Sequence, residues 1–264
     1  MQRTQAQKAA DFVALHDGKA FIIPNPWDAG SARVLEGLGF KALATTSSGF
    51  AFTLGRLDGG ATLEEVLDHV RALDRSTSLP VSVDLENGYG PDPEHAASAV
   101  ARVAEAGAVG GSIEDYDPDG RIYSLEHAVE RVAAASETAH GLGFPFLLTA
   151  RAENHIRGNP DLDDTIARLQ AYERAGADVL YAPGLRTSAE IRAVCENTSK
   201  PVNVLANPSL SLRELVDAGA RRVSVGGALA WAAVAALTTA AENMRDNGDF
   251  SLLGSSGRLE EWLN

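Results

Sequence analysis

Residues 105–114 read EAGAVGGSIE. The stretch is a helix end, a glycine stop at Gly107 and then a short run with the length and composition of a strand, Gly110–Glu114. The same junction returns as RAGADVL at 174–180 and as DAGARRVSV at 217–225. Junctions of this kind mark βα units, not the repeats of a solenoid.

Working outward, candidate strands lie at Ala20–Pro24, Ala42–Thr46, Val81–Asp84, Phe146–Thr149, Val179–Tyr181, Val202–Leu205 and Arg222–Val225, besides Gly110–Glu114. Each is short and rich in Val, Ile, Leu or Phe, as strands buried on both faces are. Between them the pattern predicts helices over Thr62–Asp74, Asp92–Ala106, Ser124–His140, Leu162–Ala175, Ser188–Glu196 and Ser211–Ala218. Glu64 and Glu65 follow the Thr62 cap, where a helix N-terminus favours acids. Eight strands alternating with helices predict an α/β fold, a closed (β/α)8 barrel of the TIM type, as one domain over residues 1–264. A doubly wound open sheet is the competitor, but no glycine-rich dinucleotide turn follows the first strand. An Ala-rich helix over Leu229–Asn247 and a tail with Trp262 form a C-terminal extension. That helix is expected to be buried against a neighbour, within the chain or across a subunit interface.

The chain has 264 residues, 45% of them hydrophobic, and a net charge of −13. That acidity argues against a nucleic-acid surface. A single cysteine, Cys195, rules out an internal disulfide and suggests a reducing, cytoplasmic setting. The first residues lack the apolar core of a signal, and no apolar run has the length of a membrane span.

Barrel enzymes carry their chemistry at the C-terminal ends of the strands. Here those ends carry Asp84, Glu86 and Glu114 on adjacent strands. Grouped carboxylates resist ionising together, and a hard dication, Mg²⁺ or Mn²⁺, would resolve the conflict. The alternative is that these acids cap the helices that follow. Arg151 leaves strand 5 toward the same rim and suits a substrate carboxylate, or else an ion pair with Glu114 or Glu153. Gly88 and Gly90 flank Tyr89 in a loop whose amides could approach an anionic oxygen, and Ser47, Ser48 and Gly49 offer a second anchor. The polar segment Tyr116–Tyr123 reads equally well as a lid or as an ordinary connection.

These strand ends resemble the isocitrate lyase/phosphoenolpyruvate mutase superfamily. The matching pieces are TSSGF with the later GRLD, VSVDLENGYG, GGSIEDYD, LLTARAEN and RRVSVGGALAWAA, in order along nearly the whole chain. The resemblance implies a barrel whose eighth helix is exchanged between subunits of a homodimer or homotetramer. It implies Mg²⁺ near Asp84, Glu86 and Glu114, with Asp58 beside them. Ser48 and Gly49 match the anchor for a substrate carboxylate or oxyanion, Arg151 the substrate-binding arginine, and Asn207 a further substrate contact by a looser match. The implied activity is cleavage of a C–C bond in a small 2-hydroxy or 2-oxo di- or tricarboxylate through an enolate. Asp58, Tyr89 and Arg121 are the candidates for moving protons. Decarboxylation of oxaloacetate, P–C chemistry on phosphonopyruvate and a silent 2-oxo-acid-binding barrel are the alternatives. The superfamily's Cys-bearing lyase lid motif does not occur, and the lid offers Arg121 where phosphonopyruvate enzymes carry lysine.

Overall fold

The computed structural model describes residues 3–254 and 257–263. Eight strands form one sheet: β1 (Phe21–Ile23), β2 (Leu43–Ala44), β3 (Val81–Asp84), β4 (Gly110–Glu114), β5 (Leu147–Arg151), β6 (Val179–Tyr181), β7 (Val202–Leu205) and β8 (Arg222–Ser224). All the ladders are parallel, in the order β1-β8-β7-β6-β5-β4-β3-β2. The two ends of that order meet. Ala44 donates from its amide to Pro24 O at 3.1 Å, and Asn25 Nδ2 donates to Thr45 O at 2.9 Å. Asn25 Oδ1 also accepts from the amides of Val225 and Gly226. One side chain thus sews strands 1, 2 and 8 together, and the sheet is a nearly closed (β/α)8 barrel.

The helices are α1 (Gln5–Asp17), α2 (Ala29–Gly37), α3 (Ser47–Thr53), α4 (Leu63–Ser76), α5 (Pro93–Glu105), α6 (Leu125–His140), α7 (Leu162–Arg174), α8 (Ser188–Glu196), α9 (Leu212–Asp217), α10 (Ala228–Asn247) and α11 (Leu259–Leu263). Four of them, α1, α2, α3 and α11, were not expected from periodicity. For α1, the capping box between Thr4 and Gln7 sets the start, and burial of Ala9 and Phe12 fixes the rest. It lies across the N-terminal end of the barrel, where Phe12 leaves no room for a side chain at Gly110. For α3, Thr46 accepts from Gly49 N, and Gly49, Phe50 and Ala51 are buried, so tertiary packing overrides weak helix propensity.

Strand alternation places the site. Val81, Val83, Ile113, Leu148, Ala150, Val202 and Val204 belong to the main core, packed with the surrounding helices. Ser82, Asp84, Ser112, Arg151, Tyr181, Asn203, Arg222 and Ser224 line a cavity of about 130 Å³ inside the barrel. The strand interior is therefore more polar than the apolar strand reading suggests. The segment after β4 folds as a two-stranded antiparallel hairpin, Tyr116–Asp117 against Arg121–Ile122. The expectation that α10 is buried within the chain fails, because Ala230 alone of its residues is buried. No helix among the described residues is long and apolar enough to cross a membrane.

Candidate active site

The end of β3 turns sharply. Glu86 and Tyr89 both adopt the left-handed backbone region, with φ of 50° and 62°, which residues with side chains occupy at some cost. The turn is held by Gly88 N donating to Leu85 O, Tyr89 N donating to Asn87 Oδ1, and Glu86 N donating to Asp84 Oδ1. The Gly88 amide is thus engaged in the turn. Gly88 has φ of 81°, and a Cβ there would stand 2.8 Å from Ala96 Cα on α5. Its glycine is required by close packing.

Arg151 ends β5 and stands between the acids. Its Nη1 is 3.3 Å from Glu114 and 3.6 Å from Asp84, and its Nε donates to Glu153. The ladder register explains this, because Glu114 is the direct cross-strand neighbour of Arg151, and Asp84 pairs with Ser112 one strand further on. Burial works against the Arg151 charge, but Glu114, Glu153 and Asp84 outweigh it and hold the guanidinium firmly protonated. Its guanidinium also lies over the Tyr181 ring, 5.4 Å from the centroid. Among the described residues no three acidic, His or Cys side chains converge as a preformed metal cage. The arginine occupies the position between Asp84 and Glu114.

The acids still repel. Burial, then the charges of Asp84 and Asp58, push the Glu86 carboxyl up to about 7. Burial also raises Glu114, with Arg151 opposing and Glu153 and Asp84 adding to the rise. Burial next to Glu86 and Asp84 moves the Tyr89 phenol upward as well. A second cavity, about 280 Å³, opens above Arg151 and is lined by Ser47, Asp58, Gly59, Glu86, Asn87, Glu114, Tyr116, Pro118, Arg151 and Arg157. Ser47, Asp58 and Arg151 line both cavities, which makes them the meeting point of the two.

Ser47 starts α3, and its amide faces Asp84 Oδ2 at 3.4 Å. Ser48 lines the inner cavity and touches Thr46 Oγ1 at 3.2 Å. Gly49 lies behind them, with its amide used by the Thr46 cap. A Cβ at Gly227, where α10 begins, would stand 2.6 Å from Ser48 Oγ, so the C-terminal helix starts against this anchor. Other expected residues lie farther off. Arg121 is exposed on the hairpin, with Asp119 at 3.8 Å, and lines neither cavity. Asn207 lines neither, and its Oδ1 accepts from Ser209 N. Asp115, adjacent to Glu114, points away and receives Arg168, Tyr172 and the amide of Glu153.

Sequence reading gave no site role to Arg157 or Tyr181, and took Tyr116 only as part of the lid or connection. Arg157 Nε donates to Glu153 Oε2 at 2.9 Å, and its guanidinium stacks 3.8 Å from the Tyr116 ring centroid. The four-residue spacing from Glu153 was the available signal, but no helical periodicity surrounds it.

Over residues 12–245 the chain matches the phosphoenolpyruvate phosphomutase family. It is 33% identical to an oxaloacetate decarboxylase of a Bradyrhizobium species over 208 residues, which are 75% of this chain and 70% of that protein. It is 31% identical to a 2-methylisocitrate lyase of Halalkalibacterium halodurans over 215 residues, 78% of this chain and 69% of that one. A crystal structure of a Burkholderia cenocepacia protein assigned as a lyase/mutase superposes with a TM-score of 0.94 at 52% identity, covering 98% of this chain and 96% of that one. Strand ends, barrel and matched length agree: the chain belongs to the phosphoenolpyruvate phosphomutase family, within the isocitrate lyase/phosphoenolpyruvate mutase superfamily.

Proposed function

We propose that this protein is a Mg²⁺-assisted lyase that cleaves a C–C bond in a small 2-oxo or 2-hydroxy carboxylate, with oxaloacetate the first substrate to test. The observation that carries the reading is Arg151, buried at the meeting point of two cavities with Asp84 and Glu114 at 3.6 and 3.3 Å. A fixed guanidinium among acids at strand ends suits a carboxylate-bearing substrate. Relatives that decarboxylate oxaloacetate or cleave 2-methylisocitrate support the same reading.

The donor set fits a hard dication. Asp84, Glu86, Glu114 and Asp58 offer oxygen alone, and Glu86, raised first by burial and then by the charges of Asp84 and Asp58, carries a charge cost that a cation would relieve. Asp84, Glu86 and Glu114, with Asp58 beside them, would hold such an ion, and Mg²⁺ commonly keeps several waters in its shell. The ion supplies a Lewis acid for negative charge developing on the 2-oxygen.

The chain's own groups do the rest. Arg151 and the Ser47–Ser48 anchor hold the carboxylate next to the 2-carbon. For a 2-hydroxy substrate, Asp58 takes the hydroxyl proton as the 2-carbonyl forms and the C–C bond breaks, and the bonding pair passes to the departing fragment as the enolate of its carboxylate, which is then protonated. For oxaloacetate, the same grip leaves the distal carboxylate free to depart as CO₂ while its electrons move toward the 2-oxygen, and the product carbon is then protonated. We assign no proton transfer to Arg121, given its exposure. We also infer a single barrel unit that assembles as a homo-oligomer through α10.

The test is direct: incubate purified protein with Mg²⁺ and oxaloacetate and follow pyruvate, alongside a panel of 2-hydroxy di- and tricarboxylates. Turnover above the metal-only rate, abolished by Asp84→Asn, is expected. No turnover on any of them would overturn the lyase reading.

A further inference from the structure

Arg222 enters the barrel from β8 and is only 5% exposed. Its Nε donates to Asn203 Oδ1 at 2.8 Å and its Nη2 to Thr149 Oγ1 at 2.9 Å. Its Nη1 faces His16 Nε2 at 3.4 Å. His16 Nδ1 lies 2.8 Å from Phe12 O, so in the neutral ring Nδ1 donates there and Nε2 accepts from Arg222. All three partners are uncharged. A guanidinium carries five N–H donors, so two of them lack an acceptor among the described residues. Burial pushes the group down to about 10, with the Tyr181 phenol opposing, and at neutral pH the cation persists. A buried charge without a counter-ion is costly. Arg151 shows the contrast: two residues beyond Thr149 on the same strand, it meets three acids.

The Arg222 guanidinium lines the inner, 130 Å³ cavity together with Ser82, Ser112 and Ser224. Ser224 Oγ accepts from Asn203 Nδ2 at 3.0 Å, which leaves its own O–H to donate. The acids of this cavity, Asp58 and Asp84, belong to its upper mouth, where Asp84 already pairs with Arg151. The lower chamber therefore presents an unpaired cation and rotatable hydroxyl donors. With Nε spent on Asn203, the side-on fork that suits a carboxylate is incomplete, and a compact anion fits better.

We propose that this lower chamber is an anion site, in which Arg222 binds a small inorganic monoanion such as chloride beneath the reaction site. The site is independent of the lyase reading, because none of its binding groups handles the substrate.

Melting of wild type, Arg222→Met and Arg222→Lys is compared in sodium chloride and in sodium gluconate at equal ionic strength, gluconate being too bulky for the chamber. An ion that binds only the folded chain raises its melting temperature saturably. The chloride-minus-gluconate difference is expected to be several degrees larger in wild type than in Arg222→Met, a comparison that cancels the general effects of the two salts. Arg222→Lys keeps a charge and part of the response. A second measurement needs no variant: wild-type crystals grown in bromide should show an anomalous peak within hydrogen-bond reach of the Arg222 guanidinium. If Arg222→Met does not fold, Arg222→Lys and the bromide crystals decide. Identical salt responses in wild type and substituted protein, or water alone beside Arg222 in bromide, overturns the inference. A bromide peak without a saturable chloride response in solution marks an adventitious ion only and overturns it too.

Discussion

At Arg151 one guanidinium meets Asp84, Glu114 and Glu153 in a space largely shielded from solvent. Buried charges of this kind are tolerable together and costly apart. Arg151→Gln should therefore destabilise the protein by about 3–5 kcal/mol, because it leaves Asp84 without its cation and Glu114 and Glu153 with Arg157 alone. It should also lower turnover by roughly 10²-fold or more, the scale of losing one preorganised charged contact. Urea titration and steady-state kinetics read the two effects separately. Full stability in the variant would mean that the acids are neutral or separated, against the ion-pair geometry described. Gly88 is a residue of the opposite kind, defined by what it lacks. Gly88→Ala adds a methyl 2.8 Å from Ala96 Cα at a φ of 81°. We expect a loss of about 2 kcal/mol or more, from strain and overpacking together, seen as a lower urea midpoint.

Among the elements, α3 and α4 meet through a stack of Phe50 on His69, with centroids 4.2 Å apart. Burial pushes the His69 imidazole down to about 4, with Asp28 opposing weakly. An unfolded imidazole titrates near 6.5, so between pH 6.5 and about 4 the unfolded chain binds a proton that the folded one refuses. The stability that neutral His69 provides is thus complete above pH 6.5 and declines as pH falls through that window. His69→Gln removes this dependence. The wild-type advantage over the variant should shrink as pH drops from 6.5 toward 4 and stay flat above 6.5, measured by urea midpoints. A constant difference across the window would show that His69 is not held neutral by burial. His16, set between Phe12 and Phe21 and facing Arg222 at 3.4 Å, is lowered to about 4 by burial and by that arginine.

For the whole molecule, the uncovered surface is α10. Trp231 is 45% and Leu237 65% exposed, whereas the barrel helices bury their apolar faces. An Ala-rich helix left uncovered in one chain is expected to find cover in another. Sedimentation equilibrium should show a dimer or tetramer, and Leu237→Glu should shift it toward monomer with a melting temperature lower by several degrees. A monodisperse monomer in the wild type would refute the assembly. Trp231 also packs edge-to-face on Phe52, at the C-terminal end of α3. Loss of assembly should therefore weaken the Ser47–Ser48 anchor as well.

The chain's local patterns were enough for the barrel. Short apolar strands and glycine stops such as Gly107, Gly176 and Gly219 are short-range signals, and β3, β4, β6 and β7 formed where they pointed. The rim position of Asp84, Glu86 and Glu114 followed from the same logic. Local pattern missed α1 and α3, whose stability comes from partners far away in sequence, and it missed the polar lining of the barrel. It also left open what Arg151 would meet. That was decided by register across β3, β4 and β5, which sets Arg151 directly opposite Glu114 and leaves Glu153 to hold Arg157 beside it. A sequence specifies which side chains stand at a strand's end, but which charges share a few ångströms depends on how separate strands align, and only the closed barrel fixes that.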